Sequence, residues 1–414
     1  MYIASARETG LEARPDGAGR RVAGNVFALG AVSLVTDVSS EMVTAVLPLY
    51  LVLQLGFSPL QFGILDGLYS GVTAFVRIAG GTLADRWQRR KLVAGLGYGI
   101  SAVAKLGLLG VTGSATSMGL VLAADRTGKG LRTAPRDALI SLSSDPGTLG
   151  RAFGVHRAMD TVGAFLGPLV AFLLLWAVTG GYQAVFFVSF CVATLGVVLL
   201  VLFVRDHREP VDRRSSVSPR AAFGLLRDRG FRRICGWAAL FGLATVGDAF
   251  VYLLLQDRLS IEPAYFAVLP LGTAGIYLLL AVPLGRVADR IGRWKVFVAG
   301  HLALLAAYTL LLGAADGLWL VVASLTAHGL FYACTDGVLM AAAGPLLPAG
   351  LRTSGLAVLQ TGQALAKLAS SVLFGAAWTL WGMRPALYLA AGALAVVVVA
   401  ALIVRPLRAE RGAV

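Results

Sequence analysis

Runs of about twenty predominantly apolar residues recur along the whole chain, separated by short polar links. That is the length a helix needs to cross a hydrocarbon core. The pattern predicts helices 1 to 6 over about 24–53, 61–83, 92–112, 118–141, 151–178 and 184–204. Helices 7 to 12 follow over about 233–256, 264–286, 296–314, 317–343, 352–379 and 385–404. A segment rich in arginine, including Arg208, Arg213, Arg214, Arg220, Arg227 and Arg229, interrupts the rhythm at its midpoint. The expected organisation is a tail (1–23), a six-helix bundle (24–204), a central link (205–232), a second six-helix bundle (233–404) and a short tail (405–414). The expected fold class is an all-α polytopic membrane protein with twelve transmembrane helices.

Helix 4 breaks the apolar rule. Within one predicted span it carries Asp125, Arg126, Lys129, Arg132, Arg136 and Asp137. At roughly 2.5 to 3.5 kcal/mol per charge near a helix centre, even half of these facing lipid would cost about 8 to 10 kcal/mol. At 100° per residue they fall within a sector of about 140°, with Leu131, Ala134 and Ala138 on the opposite side. The helix therefore turns an ionic stripe toward protein or water, as a transport pathway requires.

Composition changes the picture only in part. The 414 residues are 57% hydrophobic and 14% charged, and the mean hydropathy is +0.77, far from a soluble domain. The formal charge of +14 would suit nucleic acid, but the cations cluster in the links, so topology accounts for them and no nucleic-acid partner is expected. Arg20, Arg21, Arg86, Arg89, Arg90, Lys91, Arg151, Arg286, Arg290, Arg293, Lys295, Arg352 and Arg405 lie on one set of connections, while the other holds little beyond Arg258 and Arg384. This predicts both termini in the cytoplasm. The absence of any Asn-x-Ser/Thr glycosylation site agrees with a bacterial inner membrane. The first helix serves as its own insertion signal. Cys191, Cys235 and Cys334 lie in apolar runs without a paired or metal-binding spacing, so neither a disulfide nor a metal is expected.

The chain also repeats. Gly81-Thr82-Leu83-Ala84-Asp85-Arg86-Trp87-Gln88-Arg89-Arg90-Lys91 recurs half a chain later as Gly285-Arg286-Val287-Ala288-Asp289-Arg290-Ile291-Gly292-Arg293-Trp294-Lys295. Each copy closes the second helix of its half, so two parallel, pseudo-symmetric halves with a site between them are expected. These loops resemble the signature of the major facilitator superfamily, G-x-L-A-D-R-x-G-R-R/K, with Gln88 at a usual glycine. The resemblance covers helix 1 to helix 12. It implies a gate at Gly81, Asp85, Arg86 and Arg89 and, in the second copy, at Asp289, Arg290 and Arg293. Arg126, Gly130 and Ala134 match the family's helix 4 motif R-x-x-Q-G-x-G-x-A, with Lys129 and Arg132 replacing a glutamine and a glycine. That match implies a proton-coupling role for Arg126. In helix 5, Gly154, Gly163, Gly167 and Pro168 match G-x8-G-x3-G-P, typical of the family's antiporters, although Ala171-Phe172 replaces the usual closing glycines. Close helix approach and bending at Gly163, Gly167 and Pro168 would serve gating.

Helix 1 holds Asp37 and Glu41 four residues apart on one face. Burial disfavours their ionised forms and a nearby Arg126 or Lys129 favours them, so they are the candidate proton carriers. The other reading is an ion pair fixing helix 1 to helix 4. Lys129 stands either to hold an anionic group or to pair with Asp125, and Arg132, Asp160, Asp248, Tyr332, Asp336, Gln360, Gln363 and Lys367 complete the candidate substrate contacts. Asp160 follows His156 by one turn, as a relay or a structural pair. His328, Cys334 and Asp336 do not share a helical face, which argues against a metal. No nucleophile or phosphate-cradling loop points to an enzyme. The expectation is a proton-coupled secondary transporter, an efflux antiporter for small organic compounds, working as a monomer in the bilayer without a cofactor. The alternative is a carrier of organic anions or a metal complex, using the cations of helix 4.

Overall fold

The computed structural model describes residues 22–87, 89–111, 113–144, 148–178, 180–206, 224–314, 316–348 and 351–404. Ten of its helical segments are long and apolar enough to cross a membrane. These are α1 (Gly24–Gln54), α3 (Arg90–Gly110), α5 (Leu149–Ala177), α6 (Tyr182–Phe203), α7 (Arg229–Leu259), α8 (Pro263–Ile291), α9 (Arg293–Leu312), α10 (Gly317–Leu346), α11 (Ser354–Trp381 within the helix Arg352–Trp381) and α12 (Met383–Val404). Two more, α2 (Pro59–Trp87) and α4 (Ala115–Leu142), run beside them and make twelve long helices among the described residues. α2 is four residues longer at its far end than its apolar run suggests, because helical hydrogen bonding continues beyond the last apolar residues into the charged turn.

Packing repeats with a period of six helices. In the first half α1 lies on α5 and α6, and α4 on α2 and α3. In the second half α7 lies on α11 and α12, and α10 on α8 and α9. α6 and α12 stand at the rim, where Leu202, Phe203, Val396 and Ile403 are exposed, as lipid-facing side chains should be. Gly292, between α8 and α9, has φ 106°, a left-handed value that a side chain would strain. Its counterpart Gln88 falls outside the described residues.

Three helices that read as continuous are interrupted. α8 has a turn at Ala267 and Val268. α7 stops at Ala244 and restarts at Asp248. The freed groups are satisfied: Ser370 Oγ donates to the Thr245 carbonyl at 2.6 Å, and the Val246 amide donates to Tyr308 Oη at 2.8 Å. α10 stops at Thr335 and restarts at Val338, with Gly337 at φ 76°. Irregular backbone at this depth is tolerated where protein or a cavity satisfies it.

The halves meet at the end opposite the central link. Gly63 and Gly67 of α2 press on the α11 backbone at Ser371 and Leu368, and Gly375 of α11 presses on Pro59. The Leu60 amide donates to Thr379 Oγ1 at 2.9 Å, Phe62 meets Phe250 edge-on at 4.9 Å, and Phe172 meets Tyr265 at 5.6 Å. A side chain at Gly63 would collide with the Ser371 carbonyl. Gly63→Leu is therefore expected to hold this end apart. Spin labels at residues 61 and 380 should show a longer distance distribution, and an unchanged distribution would refute the idea that backbone contact keeps this end shut.

Candidate functional site

The ionic stripe of α4 faces α1 in antiparallel register. Lys129 Nζ lies 3.7 Å from Glu41 Oε1, Arg132 Nη2 3.5 Å from Asp37 Oδ1, and Arg136 Nη1 donates to Ser33 Oγ at 3.3 Å. Steps of three or four residues on each helix keep every partner on one face. Further along, Arg126 does not reach Asp37. It binds Asp125, through Nε at 2.9 Å and Nη2 at 2.5 Å, and lies over the Tyr69 ring at 3.7 Å. Tyr69 Oη in turn meets Thr44 Oγ1 of α1 at 2.6 Å, so Arg126 acts on α1 through a tyrosine.

Asp125 is the hub of the α3–α4 contact. It accepts from Lys105 Nζ at 3.0 Å and from Ser101 Oγ at 2.5 Å. Lys129, which the sequence left free to pair with Asp125, pairs with Glu41 instead because Lys105 and Arg126 already occupy that carboxylate. The pairs differ in access. Arg132 and Asp37 are 3% and 13% exposed, whereas Lys129 and Glu41 are 31% and 28% exposed. Arg132 is further covered by Tyr98, 4.5 Å from its guanidinium.

At the other end of the stripe Arg136 is buried and turned inward. It pairs with Asp137 at 2.9 Å and lies 3.8 Å from Asp160, which also meets Arg157 at 3.6 Å. His156 does not bond Asp160: its Nε2 meets Ser33 Oγ at 2.9 Å. Asp160 adjoins Asp37 instead, bringing carboxylates of α1 and α5 side by side. Of the α5 glycines, Gly167 leaves 2.7 Å between an added methyl and the Val38 carbonyl, and Gly163 abuts Leu34 still more closely, whereas Gly154 has open space.

A second cluster lies in the other half. Asp248, at the restart of α7, accepts from Tyr332 Oη at 2.5 Å and lies 3.3 Å from His328 Nε2 and 3.6 Å from Lys367 Nζ. Asp66 of α2 accepts from Ser371 Oγ at 2.6 Å, beside Gly247. Asp336 accepts from Tyr277 Oη at 2.9 Å. Gln360 is exposed and Gln363 half-buried on α11, two turns and one turn before Lys367. Among the gate residues, the side chains of Gly81, Asp85 and Arg86 lie outside the described residues, and Arg89 is exposed before α3. Arg290 is exposed in the last turn of α8. Arg293 meets Asp289 at 3.1 Å and donates to the Ala341 carbonyl at 2.8 Å, tying the α8–α9 turn to α10. Among the described residues no group of three His, Cys, Asp or Glu is placed to hold a metal ion.

Sequence reasoning missed Tyr69, Tyr98, Ser101, Tyr252 and Tyr277. Each stands in an apolar run, where a tyrosine or serine is indistinguishable from packing.

The sequence profile of the Major Facilitator Superfamily matches residues 29–276 and 234–413. The chain belongs to the major facilitator superfamily. It is 29% identical over 369 residues to an uncharacterized MFS-type transporter of Methanocaldococcus jannaschii, covering 87% of this chain and 89% of that one. It is 27% identical over 286 residues to the multidrug resistance protein MdtG of a Rahnella species, covering 66% and 68%. The nucleoside transporter NupG in its D323A form superposes with a TM-score of 0.80 at 14% identity, over 92% of this chain and 99% of that one. A POT family transporter in complex with 5-aminolevulinic acid superposes at 0.78, also at 14% identity, over 93% and 96%. At such identities these structures speak for the shared fold, which is that of a multi-pass membrane transporter.

Proposed function

We propose that this superfamily member is a proton-coupled efflux antiporter for small organic compounds, working by alternating access in the inner membrane with both termini cytoplasmic. The observation that carries the reading is the half-exposed Glu41–Lys129 pair between buried ion pairs. A proton arriving on Glu41 cancels its attraction for Lys129 and loosens α1 from α4. The adjoining carboxylates of Asp37 and Asp160 offer a second proton position on the same path. α1 also touches α7 and α8 of the other half, so a change in its hold on α4 bears on how the halves rock. The cross-half contacts lie away from the central link, which on this reading makes the form inward-facing. Likeness to MdtG, a multidrug resistance protein, favours export.

The alternative of an organic-anion carrier rested on surplus cations in α4. Arg126, Lys129, Arg132 and Arg136 each lie within 4 Å of a carboxylate, so little positive charge is left for a substrate. The test is internal pH in proteoliposomes under an imposed proton gradient, with cationic, neutral and anionic compounds added singly. At least one cationic or neutral compound is expected to dissipate the gradient in the wild type and none in Glu41→Gln. Uptake of an anion without proton movement would overturn the proposal.

A further inference from the structure

A cavity of about 230 Å³ lies among α7, α8 and α10, lined by Tyr252, Pro270, Thr273, Tyr277, Tyr332 and Asp336. We propose that it seats a monovalent organic cation, with Asp336 as counter-ion and Tyr252, Tyr277 and Tyr332 as aromatic walls. This deepens the export reading, and rests on it for the statement that the occupant is cargo.

The charge balance points to a cation. Asp37, Glu41, Asp125, Asp137, Asp160 and Asp248 each have a cationic side chain within 4 Å. Neither Asp66 nor Asp336 has one within that distance among the described residues; Asp66 is closed off by the Ser371 hydroxyl against Gly247, whereas Asp336 lines the cavity with only the neutral Tyr277 hydroxyl as its contact. The break in α10 at Asp336 and Gly337 leaves this carboxylate exposed at the cavity wall rather than packed along a helix. An anion would meet Asp336 and, one tyrosine away, Asp248. A neutral compound would displace water from Asp336 without replacing its charge.

The walls suit the same ligand. Tyrosine faces attract cations through the ring quadrupole, most strongly where water is excluded. His328 braces two of them, parallel to Tyr332 at 5.4 Å and to Tyr252 at 6.1 Å. Tyr252 Oη donates to Thr273 and Tyr332 Oη to Asp248, so both rings are locked before any ligand arrives. The volume is below the range of about 300 to 1,000 Å³ for drug-sized sites. It therefore takes one ring with a quaternary or protonated amine, not a large drug whole.

Isothermal titration of the purified full chain in detergent, with benzyltrimethylammonium, benzyl alcohol and benzoate as probes, tests this. The cation is expected to bind about tenfold or more tighter than either of the others. Asp336→Asn should lose that preference, with benzyl alcohol unaffected. Tyr277→Leu should weaken cation binding about fivefold, while Tyr277→Phe, which keeps the ring, stays within about threefold. Equal binding of cation and alcohol, or unchanged cation binding in Tyr277→Leu, would overturn the proposal, even should Asp336→Asn fail to fold. The assay needs no gradient. Cation selectivity without proton movement would leave the subsite standing and remove the antiport reading. Proton movement driven by neutral compounds alone, with no cation preference, would do the reverse.

Discussion

Asp125→Asn is expected to destabilise this protein by about 3 to 5 kcal/mol. Asparagine keeps the shape of the side chain and the acceptor for Ser101, so the loss is one of charge. Asp125 balances both Lys105 and Arg126, whose side chains are 2% and 6% exposed. Without it two cations stay in a low-dielectric interior with no counter-charge in contact, only neutral groups such as the Tyr69 ring and the Ser101 hydroxyl, the costliest outcome for a broken buried pair. The measurement is the thermal unfolding midpoint in detergent, together with the yield of monodisperse protein. Adding Lys105→Met to Asp125→Asn removes one stranded cation and should restore much of the midpoint. A single variant as stable as the wild type, or a double variant worse than the single one, would contradict this account of the α3–α4 contact.

Gly128→Ala is expected to destabilise by about 1 to 3 kcal/mol through overpacking alone. The added methyl would lie 2.5 Å from the Gly97 carbonyl oxygen and 2.7 Å from the Ser101 amide, and the reciprocal methyl at Gly97 would lie 2.6 Å from the Gly128 carbonyl. Both close atoms are backbone, so relief requires moving one helix. That movement would also draw Ser101 away from Asp125 and strain the ionic hub. Gly154→Ala is the matched control, since its methyl meets nothing within 4 Å. It should be neutral or gain up to about 1 kcal/mol from helix propensity. Equal midpoints for the two variants in a melting series would show that α3 and α4 do not depend on this approach.

The site was legible in its residue types and much less so in its partners. A charge inside an apolar run is conspicuous, which is why Asp37, Glu41, Arg126, Lys129 and Asp248 stand out. Helical phase also put the α4 cations on one face, and the structure has that face against α1. What phase does not contain is the register between two helices. A slide of one turn would give Lys129 to Asp37 instead of Glu41 at little local cost. The tyrosines that carry Arg126 and Arg132 were hidden for a related reason: their polarity is one hydroxyl on a ring that reads as apolar.

The sequence by itself determined that the chain crosses a membrane many times, that it is built from two similar halves, and that helix 4 faces inward. These follow from hydropathy and the transfer cost of charge, which act residue by residue and need no knowledge of neighbours. Only the tertiary structure decided that α7 breaks, because a gap in helical hydrogen bonds survives there only where Ser370 and Tyr308 arrive from other helices to fill it. The same is true of which carboxylate meets which cation, and of the tyrosine-walled cavity at Asp336. Those depend on how closely glycine-lined backbones approach, a property of two surfaces together that neither stretch of sequence carries alone.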